Sequence, residues 1–321
     1  MPGRIPKVVV VGGAYVDMAI RCGQVPSPGQ SVNGSAVFYT ATGPGPNQSA
    51  EAALCGCQVH LISKVGGDPF AQMVKASLAE FDINTDFVYA AEAKNTGVVV
   101  TLVNAEGENT SLTYTGANTA LGPQDIDAAE TIISDADICL IHGQLPERAV
   151  VTAIRCARLH GTKVILNPAR PIERPGRENT ALPIDYFSAN ILVPNLYEAA
   201  NIVEDAATGT TRPDTAKLIG SDLVARGADA AVITMGKRGC LVVDRSGADH
   251  IPAFEVELVD QTARGDAFAG ALAAFSAVDD NLREAVKFAS AAGALACTKF
   301  GALEALPAKA EIIELLQKQE T

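Results

Sequence analysis

An α/β fold built on a mainly parallel sheet is what this sequence predicts, on three observations. Short apolar runs of strand length recur at residues 7–11, 139–141, 164–166, 191–193 and 231–233. Each is continuous rather than alternating, the pattern of a strand buried on both faces. Helix-like stretches separate most of them, so the crossovers have room to bring successive strands back parallel, with helices on both faces. The third observation is bulk composition. With 48% hydrophobic and 19% charged residues in 321, the chain reads as globular and long enough for one large α/β domain.

The elements follow in order. The β-branched run at 7–11 ends on Gly12-Gly13, which suits a buried parallel strand. Residues 31–40 and 96–115 read as strand with turn breaks. The second holds an apolar run at 97–103, a polar turn at 104–109 and a strand pattern at 111–114, which is a hairpin signature. Helical patterns fall at 47–54 and 69–81. From about residue 125 strand and helix alternate, then two strands at 240–243 and 254–259 follow without a long helix between them. Helices at 265–277, 282–298 and 309–318 close the chain. With no internal repeat or linker, residues 1–321 read as one domain carrying a small β appendage made from the two early strand regions.

Charge and cysteine content narrow the partners. A formal net charge of −12 repels phosphate backbones and anionic lipid, which argues against nucleic acid and membrane partners. The four-valine run near the start is too short for a secretory core or a membrane span, so a cytoplasmic location is the expectation. The 7 cysteines are scattered, and only Cys55-Gly56-Cys57 is close-spaced, with no second pair at zinc-ligand distance. Most read as small buried hydrophobes.

The segment that carries chemistry runs from Val259 to Leu272. A strand end, a short turn and a helix start near Gly265 are expected there, with Phe268, Leu272 and Phe275 marking the buried face at helical spacing. The backbone amides of Ala263, Arg264, Gly265 and Asp266 then lie at a helix N-terminus, a natural anion site. A carboxylate beside a bound phosphate can take the proton of an attacking hydroxyl, because phosphoryl transfer asks mainly for positioning and charge stabilisation. Taken alone, Asp266 is equally an acidic residue favoured by the helix dipole.

Asp260-Gln261-Thr262-Ala263-Arg264-Gly265-Asp266 resembles the Asp-x-Thr-x-x-Gly-Asp signature of the ribokinase (PfkB-type) sugar-kinase family, and other motifs fall in that family's order. Gly12-Gly13-Ala14-Tyr15-Val16-Asp17 resembles its first strand and sugar-binding aspartate. Gly43-Pro44-Gly45-Pro46-Asn47-Gln48 resembles its glycine-rich sugar loop, with Asn47 as sugar contact. Gly66-Gly67-Asp68-Pro69-Phe70 resembles its Gly-x-Asp-x-Phe turn. Asn195-Leu196-Tyr197-Glu198 resembles its Asn-x-x-Glu motif, and Thr234-Met235-Gly236-Lys237-Arg238-Gly239 the loop bordering the nucleotide.

The resemblance implies a ribokinase-like three-layer α/β/α domain with a β lid formed from about 14–40 and 96–115, and a homodimer paired through such lids. It implies a small sugar or sugar-like substrate bound by Asp17, Tyr15, Gly43, Asn47 and Gln144. ATP would be bound by Asn195, Glu198, Thr234, Gly236 and Gly239, with magnesium reached through water from Asn195 and Glu198. Asp266 would be the base, the amides of Ala263, Arg264 and Gly265 would join its own in an anion hole, and a monovalent cation site would involve Asp260, Thr262 and Gly301. Asn195-x-x-Glu198 is also a helix capping box, and both roles can hold.

The departures from the family cluster at the sugar. Pro44 and Pro46 donate no backbone hydrogen bond, Tyr15 stands where ribokinases carry asparagine, and Gln144 where they carry glutamate. These changes argue against plain ribose. For Arg264 three outcomes stay open: it clasps the γ-phosphate or an acidic substituent, points to solvent, or crowds the site. Ala305 replaces a hydroxyl near Gly301, which puts potassium activation in doubt. Two other classes compete. A binding or regulatory protein that keeps the fold would bind ATP without turnover. A dinucleotide oxidoreductase needs a Gly-x-Gly-x-x-Gly spacing after the first strand that this chain lacks.

Overall fold

The computed structural model describes residues 4–169, 182–203 and 213–319. Strand β1 (Lys7–Val11) leads through Gly12 and Gly13 into β2 (Tyr15–Cys22), which leaves the main sheet and turns back antiparallel as β3 (Gly34–Thr42). Helix α1 (Pro44–Leu54) follows at once. It starts three residues before the expected 47–54, and Pro44 and Pro46 explain why. They occupy the first turn, where amides have no intrahelical partner and a fixed φ is already helical. Gly43 caps it at φ 104°, and a Cβ there would lie 2.6 Å from the Tyr15 ring and 2.8 Å from the Gly13 carbonyl. Only glycine fits that corner.

Next come β4 (Gln58–Gly66), α2 (Pro69–Ala79) capped by the Asp68 side chain, β5 (Val88–Ala91), and the hairpin β6 (Gly97–Val103) with β7 (Asn109–Tyr114). The alternating half of the chain supplies α3 (Pro123–Ala128), α4 (Glu130–Ser134), β8 (Ile138–His142), α5 (Glu147–His160) and β9 (Lys163–Asn167). It continues with β10 (Ile191–Leu192), α6 (Leu196–Ile202), α7 (Pro213–Ala225) and β11 (Ala230–Thr234). The hairpin β12 (Cys240–Asp244) and β13 (Gly247–Ile251) then precedes α8 (Arg264–Ser276), α9 (Leu282–Ala296) and α10 (Lys309–Gln319).

The main sheet runs β13-β12-β11-β10-β9-β8-β1-β4-β5, parallel except for the two antiparallel pairings at the β13 edge. Alternate residues of each strand feed two separate cores, as the pleat requires. Val8 and Val10 pack toward α1, α8 and α9, while Val9 and Val11 pack toward α3, α5 and α7. That is the three-layer α/β/α arrangement. A second sheet, β3-β2-β6-β7, assembles the two early strand regions by a parallel β2–β6 pairing.

Two expectations need correction. Residues 254–259 form no strand; the partner of β12 is β13, brought round by Gly247 at φ 148°. The 254–259 segment stays extended, tied only at its end where the Val259 amide donates to the Cys297 carbonyl at 2.8 Å. Helix α8 therefore follows a loop rather than a strand. Sequence reading also passed over β4 and β5, because His60, Ser63 and Lys64 interrupt the apolar run of β4. The expected span 1–321 has both its ends outside the described residues. Among the described residues no helix is long and apolar enough to cross a membrane.

Candidate active site

Parallel strands present their carboxyl ends along one edge of the sheet, where ligands of such folds bind. Here that edge opens into a cleft of about 1010 Å³, with His142 at the end of β8, Asn167 at the end of β9, and Thr234 at the end of β11. The first turn of α8 closes its floor with Arg264, Gly265 and Asp266. Val193, Phe254, Val256 and Leu258 add apolar wall, suited to a planar base.

The start of α8 leaves the Gly265 and Asp266 amides unspent, whereas the Arg264 amide, expected in the anion hole, donates to the Gln261 carbonyl at 3.4 Å. Ala263, at the N-cap, holds the left-handed conformation at φ 56° and its side chain accepts nothing. A non-glycine residue there costs on the order of 1 kcal/mol, and such strain concentrates at working sites. Gly265 and Asp266, second and third in the helix, have no carbonyl of their own helix to bond. Both line the cleft.

Asp266 is the point where the cleft meets α1. Asn47 Nδ2 donates to its Oδ2 at 2.8 Å, and Gln48 Nε2 donates to its Oδ1 at 3.0 Å. Burial pushes the Asp266 carboxyl up from its ordinary value, and these two hydrogen bonds work against that shift.

The other expected residues fall into two groups. On the cleft side, Asn195 and Glu198 form the capping box of α6: Asn195 Oδ1 accepts from the Glu198 amide and Glu198 Oε2 from the Asn195 amide, each at 2.9 Å. Burial raises the Glu198 carboxyl, with the Asn195 amide opposing. Both residues line the cleft with Thr234, Gly236 and Gly239. Arg264 Nη1 donates to Gln261 Oε1 at 3.0 Å and lies 3.9 Å from where a Cβ on Gly236 would sit. Its exposed guanidinium therefore extends over the Gly236 turn, on the cleft side of Asp266.

Toward the second sheet lie Asp17, Tyr15, Gly43 and Asn47, while Gln144 stands apart from them past β8. Asp17, half-buried on β2, accepts from Thr101 Oγ1 of β6 at 2.9 Å, and burial raises its carboxyl. Tyr15 is only 4% exposed. Its ring is enclosed by Gly13, Gly43 and Gly97, and burial pushes the phenol up to about 12. Gln144 is exposed just past β8, its amide donating to His142 Nδ1 at 3.3 Å. The glycine-rich segment changes meaning too. Pro44 and Pro46 have no N–H, the Gly45 amide donates to the Gly13 carbonyl at 2.9 Å, and the Asn47 amide to the Gly43 carbonyl at 3.0 Å. The Gly45 and Asn47 amides are thus spent, and the Asn47 side chain is the polar group this turn offers.

Asp260 organises the loop before α8. Its Oδ1 accepts from the Thr262 amide at 3.0 Å and hydroxyl at 2.7 Å, and its Oδ2 from the Gly301 amide at 3.1 Å. Burial would raise this carboxyl, but these donors outweigh it and hold it below its ordinary value. The three residues named for a cation site thus come together, with both carboxylate oxygens already committed to protein donors.

Sequence reading missed His142, Asn167 and Gln48. The first two carry one available signal: each is the last residue of a parallel strand. Burial lowers His142 to about 4, so it is neutral near pH 7. Gln48 could be singled out only after its helix was placed against α8.

A helix N-terminus with unspent amides, a half-buried carboxylate beside it and a nucleotide-sized cleft at the strand ends define a phosphotransferase class of site. Comparison with known proteins agrees. The description "pfkB family carbohydrate kinase" matches residues 5–309, and the chain belongs to that family: it is a carbohydrate kinase. A deoxyribokinase of Salmonella typhimurium is 31% identical over 313 residues, covering 98% of this chain and 99% of the relative. A bifunctional ribokinase/ribose-5-phosphate isomerase A of Fructilactobacillus sanfranciscensis is 31% identical over 98% of this chain, which spans 57% of that longer protein. Among solved structures, a ribokinase of Thermotoga maritima superposes with TM-score 0.83 at 25% identity, covering 98% of this chain and all of the other.

Proposed function

We propose that this kinase moves the γ-phosphate of ATP to a hydroxymethyl group of a pentose-like sugar, with Asp266 as base. The observation that carries the reading is Asp266 itself, held at both oxygens between the cleft and the second sheet. Asp266 takes the hydroxyl proton, the sugar oxygen attacks the γ-phosphorus, and the bond to the β-phosphate oxygen breaks with ADP leaving. The amides of Gly265 and Asp266 hold the negative charge that builds on the phosphoryl oxygens. Arg264 lies on the nucleotide side, which supports a phosphate contact over an acidic substituent of the sugar.

Magnesium fits the residues present. Asn167 Oδ1 is a buried oxygen that accepts from no group among the described residues, and Asn167 lines the same cleft as Glu198. An all-oxygen pair suits a hard cation held through water. The ion would neutralise phosphate charge there.

Asp17, Asn47 and Gln144 are the polar groups for sugar hydroxyls, under the second sheet as lid. Tyr15 replaces a polar side chain with an enclosed ring, which supports a sugar with fewer hydroxyls to satisfy than ribose. That lid exposes Val37, Phe38, Leu112 and Tyr114, each at least half exposed, and we read this apolar surface as where a second copy pairs.

The test is coupled ATP turnover over ribose, 2-deoxyribose, other pentoses, hexoses, nucleosides and sugar acids, with magnesium and with or without potassium. Turnover on a pentose supports the reading, and a sugar-acid winner overturns the placement of Arg264. ATP binding with no turnover across the panel would return the chain to a binding protein that keeps the fold.

A further inference from the structure

We infer that Gln48 is a positioning residue for the base: its carboxamide holds one oxygen of Asp266 while Asn47 holds the other, so that Gln48 keeps the carboxylate aimed when sugar engages Asn47. The inference rests on Asp266 being the base.

Three features support it. The first is orientation. A carboxylate only accepts, so a carboxamide 3.0 Å from Asp266 Oδ1 must present its NH2 group. With the donors turned that way, Gln48 Oε1 is buried and accepts from no group among the described residues. An unsatisfied buried oxygen costs stability, so packing alone does not explain the arrangement; the hydrogen bond to Asp266 does.

The second is how the contact is set. Gln48 is fully buried on α1, and α1 crosses α8 at Gly270, one turn past Asp266. A Cβ on Gly270 would lie 2.6 Å from the Gln48 carbonyl oxygen. Three residues earlier, in the first turn of α1, a Cβ on Gly12 would lie 2.6 Å from Gly45 Cα. Two glycine contacts, one to β1 and one to α8, therefore fix the helix that delivers Asn47 and Gln48 as neighbours. Side chains one apart on a helix diverge by about 100°, which lets them reach opposite oxygens of one carboxylate.

The third is the division of labour. Asn47 and Gln48 are both buried, at 2% and 0% exposure, and Asn47 is the one expected to contact sugar, so an incoming hydroxyl would compete for its amide. Gln48 lies one residue further along the helix. Losing the Asn47 donor to sugar leaves Gln48 as the side chain still fixing the carboxylate plane. Apart from burial, only hydrogen bonds from Asn47 and Gln48 shift Asp266; no charged group enters, although Arg264 shares its helix and Glu51 sits a turn along α1.

The test compares wild type with Gln48→Met, a substitution of similar volume that cannot donate. The first readout needs no sugar: carboxyl-carbon NMR titration of the full chain, with the Asp266 signal identified by its loss in Asp266→Asn. Losing a donor to the carboxylate should move the Asp266 titration upward. The second readout is the pH profile of kcat with the best acceptor from the panel. Gln48→Met should lower kcat roughly tenfold to a hundredfold, move the acid limb the same way, and leave sugar KM within about threefold.

An unmoved Asp266 titration in folded Gln48→Met overturns the inference, as does a kcat loss with an unmoved acid limb. If Gln48→Met does not fold, Gln48→Glu at the same volume decides. A second carboxyl facing Asp266 should raise its titration further, and no change there overturns the inference. Full activity in Asp266→Asn is a different result: it removes the base reading whatever Gln48 does.

Discussion

Asp266 combines two opposed demands. Burial makes its carboxyl a stronger proton acceptor than an exposed aspartate, while Asn47 and Gln48 keep enough of it ionised to act. Asp266→Asn should cut kcat by at least a thousandfold and leave the ATP dissociation constant within about threefold, because the amide hole survives. Isothermal titration beside a turnover assay checks both halves. Glu51 shows the same physics with no chemistry to serve. It is fully buried on α1, and burial lifts its carboxyl from 4.5 to about 8, with a hydrogen bond from Cys55 opposing. The folded state thus binds a proton that the unfolded chain releases above its ordinary pKa. Stability should fall as pH rises from about 4.5 to about 8, by at most about 1.4 kcal/mol per pH unit, and level off above that. Glu51→Gln should remove the slope, so its gain in Tm over wild type should be larger at pH 8 than at pH 5. An equal gain at both would place the Glu51 proton elsewhere.

Elements take their meaning from their ends. Helix α6 begins with a reciprocal capping box that spends one oxygen each of Asn195 and Glu198, so capping and cleft lining coexist in the same pair. Helix α8 does the reverse past its first residue, leaving the Gly265 and Asp266 amides uncapped at the cleft. Both starts were visible in the sequence, because Asn-x-x-Glu and Gly-Asp are local patterns. The start of α1 was not. Two prolines and two glycines read as a loop, yet prolines in a first turn cost nothing and the glycines are there for close approach to Gly12 and Tyr15. The α1–α8 crossing makes a sharp prediction. Gly270→Val should overpack against the Gln48 carbonyl, destabilise by about 1–3 kcal/mol in a denaturant melt, and lower kcat more than sugar KM as α1 withdraws from Asp266. A variant as stable and active as wild type would mean that the crossing is not what sets the contact.

At the scale of the whole molecule, the second sheet is the part that we propose covers the sugar. It packs on the core through Tyr39 against Phe70, and Thr40 Oγ1 donates to Glu304 beside the Gly301 loop at 3.0 Å. If two copies pair through it, sedimentation should show a dimer for wild type and a monomer for Phe38→Asp combined with Leu112→Asp, with sugar KM rising in the monomer. A wild-type monomer at micromolar concentration would remove pairing from the account. The sequence by itself determined the parallel sheet, the helix start at Asp266 and the capping box at Asn195. Each of these is a local pattern of hydrophobic period, turn residues or charge at a helix end. Only the tertiary structure decided that Gln48 reaches Asp266, that Tyr15 is enclosed, that Arg264 turns toward Gly236, and that the partner of β12 is β13. Apart from the β12–β13 hairpin, those depend on contacts between residues far apart in the chain, from 28 positions for Tyr15 and Gly43 and for Gly236 and Arg264 up to 218 for Gln48 and Asp266. No local pattern encodes such distances, because close packing of whole elements sets them.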